Sequence, residues 1–272
     1  MLDYDFMRNA FVASGIVAVL AGLVGYFLVL RGQTFAGHAL SHVGFTGATG
    51  AVLIGASPLW GMVLMTVAGG IGMGLIGERL HNRDVAIGIV LSMALGLGLL
   101  FLHFFTAYAT QATALLFGNV LGVNVGTIWT LFGLGLASIA ALGAIARPLL
   151  FATLQPELAE ARGVRLRLIS VLFLALVALA TAECTQIVGV LLVFTLMVCP
   201  AATAQHITPR LGAGLAVSVV LALAQAWIGL VLAFYTDWPT SFWITALSGA
   251  TYVAAALPRR IRSLQAIDAE AA

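Results

Sequence analysis

Uninterrupted apolar stretches recur along the whole chain, and at roughly 17 to 25 residues each matches the length an α-helix needs to cross a hydrocarbon core. Only 8% of the 272 residues are charged and 62% are hydrophobic, whereas soluble domains carry about a quarter charged residues. Lipid is therefore the main solvent. Backbone groups inside lipid must be satisfied within the segment, so the chain reads as all-α, a polytopic integral membrane helical bundle forming one domain over 1–272. Windows of about 19 residues place nine spans at 10–30, 39–56, 59–78, 85–106, 125–147, 166–182, 186–204, 211–235 and 241–258. The second, sixth and seventh are the weakest. The opening residues carry Asp3, Asp5 and Arg8 instead of the positive start of a secretory signal, so the first span is expected to be retained.

All twelve basic residues are arginine and none is lysine. A Walker-type phosphate loop needs its lysine on the nucleotide phosphates, which excludes a conventional ATPase; any ATP must be handled by a partner. The arginines are scattered between apolar runs and form no nucleic-acid patch. They do set a topology. Arg31, Arg79, Arg83, Arg147, Arg162, Arg165, Arg167, Arg210, Arg259, Arg260 and Arg262 fall on the side of the C-terminus, and only Arg8 falls on the other. By the positive-inside rule the C-terminus and the tail 259–272 are cytoplasmic and the N-terminus is outside. The outer side then holds Asp3, Asp5, Glu183 and Asp237, an acidic mouth or simply dispersed solvated acids. The two cysteines, Cys184 and Cys199, are too few for a disulfide framework.

Ionisable groups inside spans are costly and are candidate functional groups. At about 100° per residue, His38, His42, Phe45, Thr46 and Thr49 share one face of the second span. Gly37, Gly44, Gly47, Ala51 and Gly55 share roughly the opposite one. One face can line an aqueous path while the other packs on a neighbour. Two histidines at i and i+4 can hold one metal, and imidazole suits Zn, Cu, Fe and Ni while oxygen ligands suit Mn. The same pair can equally contact water or lipid headgroups at the interface. His103, near the outer end of the fourth span, reads as an interfacial or buried residue before a ligand. Glu183 and Cys184, at the junction of the sixth and seventh spans, could receive an incoming ion or form a solvated turn. His81 and His206 lie in loops with no metal role expected. Pro200, near the inner end of the seventh span, frees a carbonyl one turn earlier and is expected to break or kink the helix. The run Gly69, Gly70, Gly72, Gly74 and Gly77 suits close helix packing.

The longest loop, 148–167, is cytoplasmic by this topology. Thr153 can cap a short helix there, Pro156 and Glu157 suit its first turn, Glu160 favours its positive end, and Gly163 can end it. Such an element can dock a partner or lie on the membrane as a connector.

Five segments in order, VLRGQTFAGHALSH at 29–42, ERLHNRDVAIGI at 78–89, LFGNVLG at 116–122, LQPELAEARGV at 154–164 and VGVLLVFTLMVCPAATA at 188–204, resemble the permease subunit of zinc/manganese ABC importers, the ABC-3 family. The resemblance runs from about residue 8 to 258. It implies a type II ABC importer-like permease in a bacterial cytoplasmic membrane, working as a homodimer with a pathway along the dimer axis. It further implies two cytoplasmic ATP-binding subunits, an external solute-binding protein, and Zn(II) or Mn(II) as the transported substrate, Zn(II) put first. It makes 154–164 the coupling element, with Leu154, Gln155, Glu157, Ala159 and Gly163 as its candidate residues, of which Glu157, Ala159 and Gly163 stand where the family pattern places them. Gln155 replaces the usual aspartate, and Gly32 replaces a second arginine after Arg31. Alternating access driven by the ATPase pair is the implied mechanism, with few and transient ligands along the path. A secondary transporter would need an acid near the centre of a span, and a membrane hydrolase would need Ser41 and His42 in register, although adjacent side chains diverge.

Overall fold

The computed structural model describes residues 1, 3–76, 83–104 and 115–270, the side chains of 76, 83 and 258–270 excepted. Its helices are α1 (Asp5–Leu30), α2 (Thr34–Leu53), α3 (Pro58–Ile76), α4 (Arg83–His103), α5 (Val125–Leu154), α6 (Pro156–Ala161), α7 (Leu166–Val188), α8 (Val190–Ile207), α9 (Leu211–Thr236) and α10 (Thr240–Glu270), with a 3₁₀ turn at Val120–Gly122 before α5. No strand occurs among the described residues. Glu78, Arg79 and His81 of the second matched segment, Gly77, and residues 271–272 of the tail lie outside them.

Among the described residues eight helices are long and apolar enough to cross a membrane; α2 is not among them. Its histidines, threonines and serine lower its hydropathy, and it tolerates them because it lies inside the bundle, with 13 of its 20 residues buried. At 1.5 Å per residue it is still about 30 Å long. The nine expected spans are therefore eight apolar ones and one polar inner helix. Helices α1 and α7 are central, and α4 presents Val85, Ile89, Met93, Leu97 and Leu100 outward, as a lipid-facing helix does.

Burial corrects several boundaries. Helix α5 does not stop at 147: Pro148 sits inside it, and the buried Leu149 and Ala152 carry it to Leu154. Thr153 consequently caps nothing, and its hydroxyl donates to the Leu149 carbonyl within α5. The tail is not separate from the last span, since α10 runs on to Glu270. The expected break at Pro200 is absent, because α8 continues through a buried Pro200 to Ile207. His206, expected in a loop, lies inside α8 with its ring 5.5 Å from that of Tyr252 on α10.

The chain does break at Gly189, the single residue between α7 and α8, where φ is +89°. Gly118 meets it, also at positive φ (+81°). A Cβ on Gly118 would lie 2.7 Å from the Gly189 nitrogen, and one on Gly189 would overlap the backbone of Phe117 and Gly118. Glycine alone allows both the backbone angle and the approach. Two of the five matched segments thus pack on each other.

Small residues also seat α3. A Cβ at Gly70 would come 2.5 Å from the Leu174 carbonyl oxygen, and one at Gly74 would come 2.6 Å from the Val171 Cα, so α3 lies directly on the backbone of α7.

Candidate functional site

The i, i+4 spacing on α2 brings the two imidazoles together: the His38 and His42 ring centroids are 5.0 Å apart with near-perpendicular planes. Phe194 of α8 stacks edge-on against His38 at 5.2 Å. Each ring is half-buried, and each Nδ1 is buried without a protein hydrogen-bond partner. Two bare nitrogens in a largely apolar setting are groups that a cation or water can satisfy.

The rest of the expected polar face is closed. Thr46 bonds back to the His42 carbonyl and across to the Ala94 carbonyl of α4, and Thr49 bonds back to Phe45. Phe45 packs on Gly98 of α4. Of these five residues only His38 and His42 keep exposure. The opposite face packs as expected at Gly37 against Leu28, Gly44 against Thr66 and Gly47 against Gly61. Gly55 instead forms the turn after α2, at φ +75°.

Glu183 is neither in a junction nor part of an acidic mouth. Helix α7 extends five residues beyond it, and its side chain is 0% exposed. The Ser138 hydroxyl of α5 donates to its Oε1 at 3.2 Å, while Oε2 has no hydrogen-bond partner and faces the space left by Gly135. Cys184, also fully buried, turns toward α1, its Sγ 3.9 Å from the Val17 carbonyl oxygen. The two side chains therefore address different helices and do not form a joint ligand pair. His103 is exposed at the end of α4, its ring 5.8 Å from that of Phe104. No group of three or more His, Cys, Asp or Glu side chains able to hold a metal occurs among the described residues.

A cavity of about 690 Å³ escaped sequence reasoning. Met7, Asn119, Val188, Leu196, Asp237 and Trp238 line parts of it. Its walls come from four separate stretches of chain, 6–14, 117–121, 187–196 and 226–244, and its one legible sign is the aromatic cluster after Asp237, where Trp238 and Trp243 stack at 5.6 Å. It gathers the start of α1, the α7–α8 break and the α9–α10 turn at one end of the bundle. Asp3 and Asp5 are exposed near the chain start, and Asp5 pairs with Arg8.

The expected coupling element contains a short helix of six residues. Pro156 opens α6 in its first turn, with Glu157 beside it. Gln155, its N-cap, makes no side-chain capping bond. At the other end the Gly163 N–H bonds to the Glu160 carbonyl and the Val164 N–H to the Ala159 carbonyl, each at 2.9 Å, while Gly163 takes φ +82°. That is a Schellman ending, with glycine in the left-handed position. Ala159 is buried beneath the turn, whereas Leu154 and Leu158 are 68% and 46% exposed and Gln155 and Glu157 stand beside them. An apolar pair with a carboxylate, held on a rigid turn, is suited to protein docking.

A family model described as the ABC 3 transport family matches residues 3–258. The chain is 31% identical over 238 residues to the manganese transport system membrane protein MntC of Halalkalibacterium halodurans, covering 87% of this chain and 82% of that protein. It is 28% identical over 233 residues to the manganese import system permease protein ScaB of Streptococcus parasanguinis, covering 85% and 83%. PsaBC from Streptococcus pneumoniae in complex with Fab has a chain that superposes with a TM-score of 0.83 at 24% identity, over 93% of this chain and 91% of that one. The last likeness shows a shared fold.

Proposed function

The chain belongs to the ABC 3 transport family, and we propose that it is the membrane permease of an ATP-driven importer for a divalent first-row metal ion. The observation that carries the metal is the His38–His42 pair, with its two bare, buried Nδ1 atoms on the polar inner helix. Two imidazoles leave a cation most of its shell for water or other donors, so the ion is held briefly and released, as conduction requires. The names of the relatives favour Mn(II) over the Zn(II) put first from the sequence.

In this reading ATP is hydrolysed by separate subunits docked on α6, and this chain does no covalent chemistry. Two copies form the pathway between them, and an external solute-binding protein delivers the ion. The arginine bias supports a cytoplasmic C-terminus and a bacterial inner-membrane location. A secondary transporter would need an acid near the centre of a span. Glu183 lies within α7 but near its end, five residues before Val188, and family membership and the coupling turn favour the ATP-driven scheme.

The test is to assemble the chain with its ATPase and binding protein in vesicles and to follow uptake of Mn(II), Zn(II) and Fe(II) with and without ATP. ATP-dependent uptake of one of these ions supports the reading. Equal movement without ATP, or no association with an ATPase, refutes it.

A further inference from the structure

Two rigid turns lie at the same end of the bundle, and one side chain joins them. The first ends α1. The Gly32 N–H bonds to the Val29 carbonyl and the Gln33 N–H to the Leu28 carbonyl, each at 3.0 Å, with Gly32 at φ +63°. This is a second Schellman turn, and it explains why glycine stands after Arg31. Helix α2 starts at Thr34, so only three residues separate α1 from the helix that carries His38 and His42. The second turn is α6 itself, held between α5 and α7.

Arg31 reaches both legs of that hairpin. Its Nη1 donates to Oγ1 of Thr153, the penultimate residue of α5, at 3.0 Å. Its guanidinium carbon lies 5.4 Å from the ring centroid of Phe173, a fully buried residue of α7. The Thr153 proton is committed to the Leu149 carbonyl at 2.6 Å, which leaves the hydroxyl oxygen to accept from the arginine. A planar guanidinium can donate in its plane while stacking through its face, and an ammonium cannot do both.

We infer that Arg31 is a positioning residue that transmits displacement of the coupling turn α6 to the histidine-bearing helix α2. The inference rests on the importer reading above. A displacement of α6 moves the end of α5 and the start of α7 together. Arg31 contacts the end of α5 and, two turns into α7, Phe173, and is fixed by backbone bonds to the turn that launches α2. The path from the coupling turn to His38 thus runs through one side chain and two turns, with no flexible loop between.

The test uses the assembled importer in vesicles and reads the metal taken up per ATP hydrolysed. Thr153→Val keeps the shape of the side chain and removes the acceptor; Arg31→Lys keeps the charge and removes the combined contact. Both are expected to assemble and to hydrolyse ATP within about twofold of the parent, while uptake per ATP falls about tenfold, the order expected for loss of a charge-assisted hydrogen bond. Thr153→Ser is expected to restore the ratio, and the double variant to be no worse than either single one. An unchanged ratio, a proportional fall of hydrolysis and uptake together, or failure of both variants to assemble overturns the inference. A parent complex that never assembles, or that hydrolyses ATP without moving metal, overturns the importer reading instead.

Discussion

The Ser138 hydroxyl donates to Oε1 of Glu183 at 3.2 Å, tying α5 to α7 through a carboxyl group with no exposure to solvent. Removing the donor by Ser138→Ala is expected to cost about 1–3 kcal/mol, because the carboxyl loses its one protein partner. Thermal unfolding of the purified chain in detergent checks this, and an unchanged midpoint would show the contact to be idle. Glu183→Gln retains the shape and an acceptor oxygen and is expected to keep metal uptake within about twofold. A loss beyond tenfold would return Glu183 to the pathway.

His38 and His42 act as a pair in this account. His38→Ala and His42→Ala are each expected to lower uptake at limiting metal by about tenfold or more, the scale on which changes around metal ligands act. Uptake measured across a metal titration separates lost affinity from lost rate. Unchanged transport in both variants would remove the pair from the pathway.

In the proposed importer the ATPase docks on Leu154, at the end of α5, and Leu158 of α6, both exposed in the isolated chain. Placing a charge in an apolar contact leaves it unpaired and costs several kcal/mol. Leu158→Asp is therefore expected to abolish co-purification of the ATPase while the permease keeps its own thermal midpoint, since Leu158 is half exposed in the isolated chain. Retained co-purification would place the contact elsewhere.

Gly189 and Gly163 separate strain from overlap. Both have positive φ, but a Cβ at Gly163 meets nothing within 4 Å, whereas one at Gly189 strikes the backbone at 117–118. Gly163→Ala is expected to cost only the left-handed backbone term, about 1–2 kcal/mol. Gly189→Ala adds a backbone clash and is expected to destabilise the protein by clearly more, read from the two thermal midpoints. Equal effects would mean that the segment at 116–118 yields freely.

Long apolar runs made the helices legible, and the glycines at 69–74 made the seating of α3 legible, because both signals are local. The i, i+4 histidines were visible for the same reason, as were Pro156, Glu157 and Gly163 around the coupling turn. Other features depend on burial, which sequence does not display. A carboxylate reads as a loop residue until Ser138, forty-five positions away, meets it, so Glu183 reads as a junction residue although it lies inside α7. Pro200 reads as a breaker although packing carries α8 through it, and Gly189 ends α7 because Gly118 needs the space. The cavity lined by Met7, Asn119 and Asp237 has no sequence signature, since its walls meet only after the bundle forms.

In the proposed importer this chain conducts a divalent metal under the control of ATP bound elsewhere. Uptake of Mn(II), Zn(II) and Fe(II) into vesicles holding the assembled complex, with ATP supplied on the α6 side, tests it most directly. Accumulation is expected to require ATP and, at limiting metal, to fall about tenfold or more when His42 is replaced by alanine. Metal entering equally without ATP, or entering with ATP regardless of His38 and His42, would contradict it.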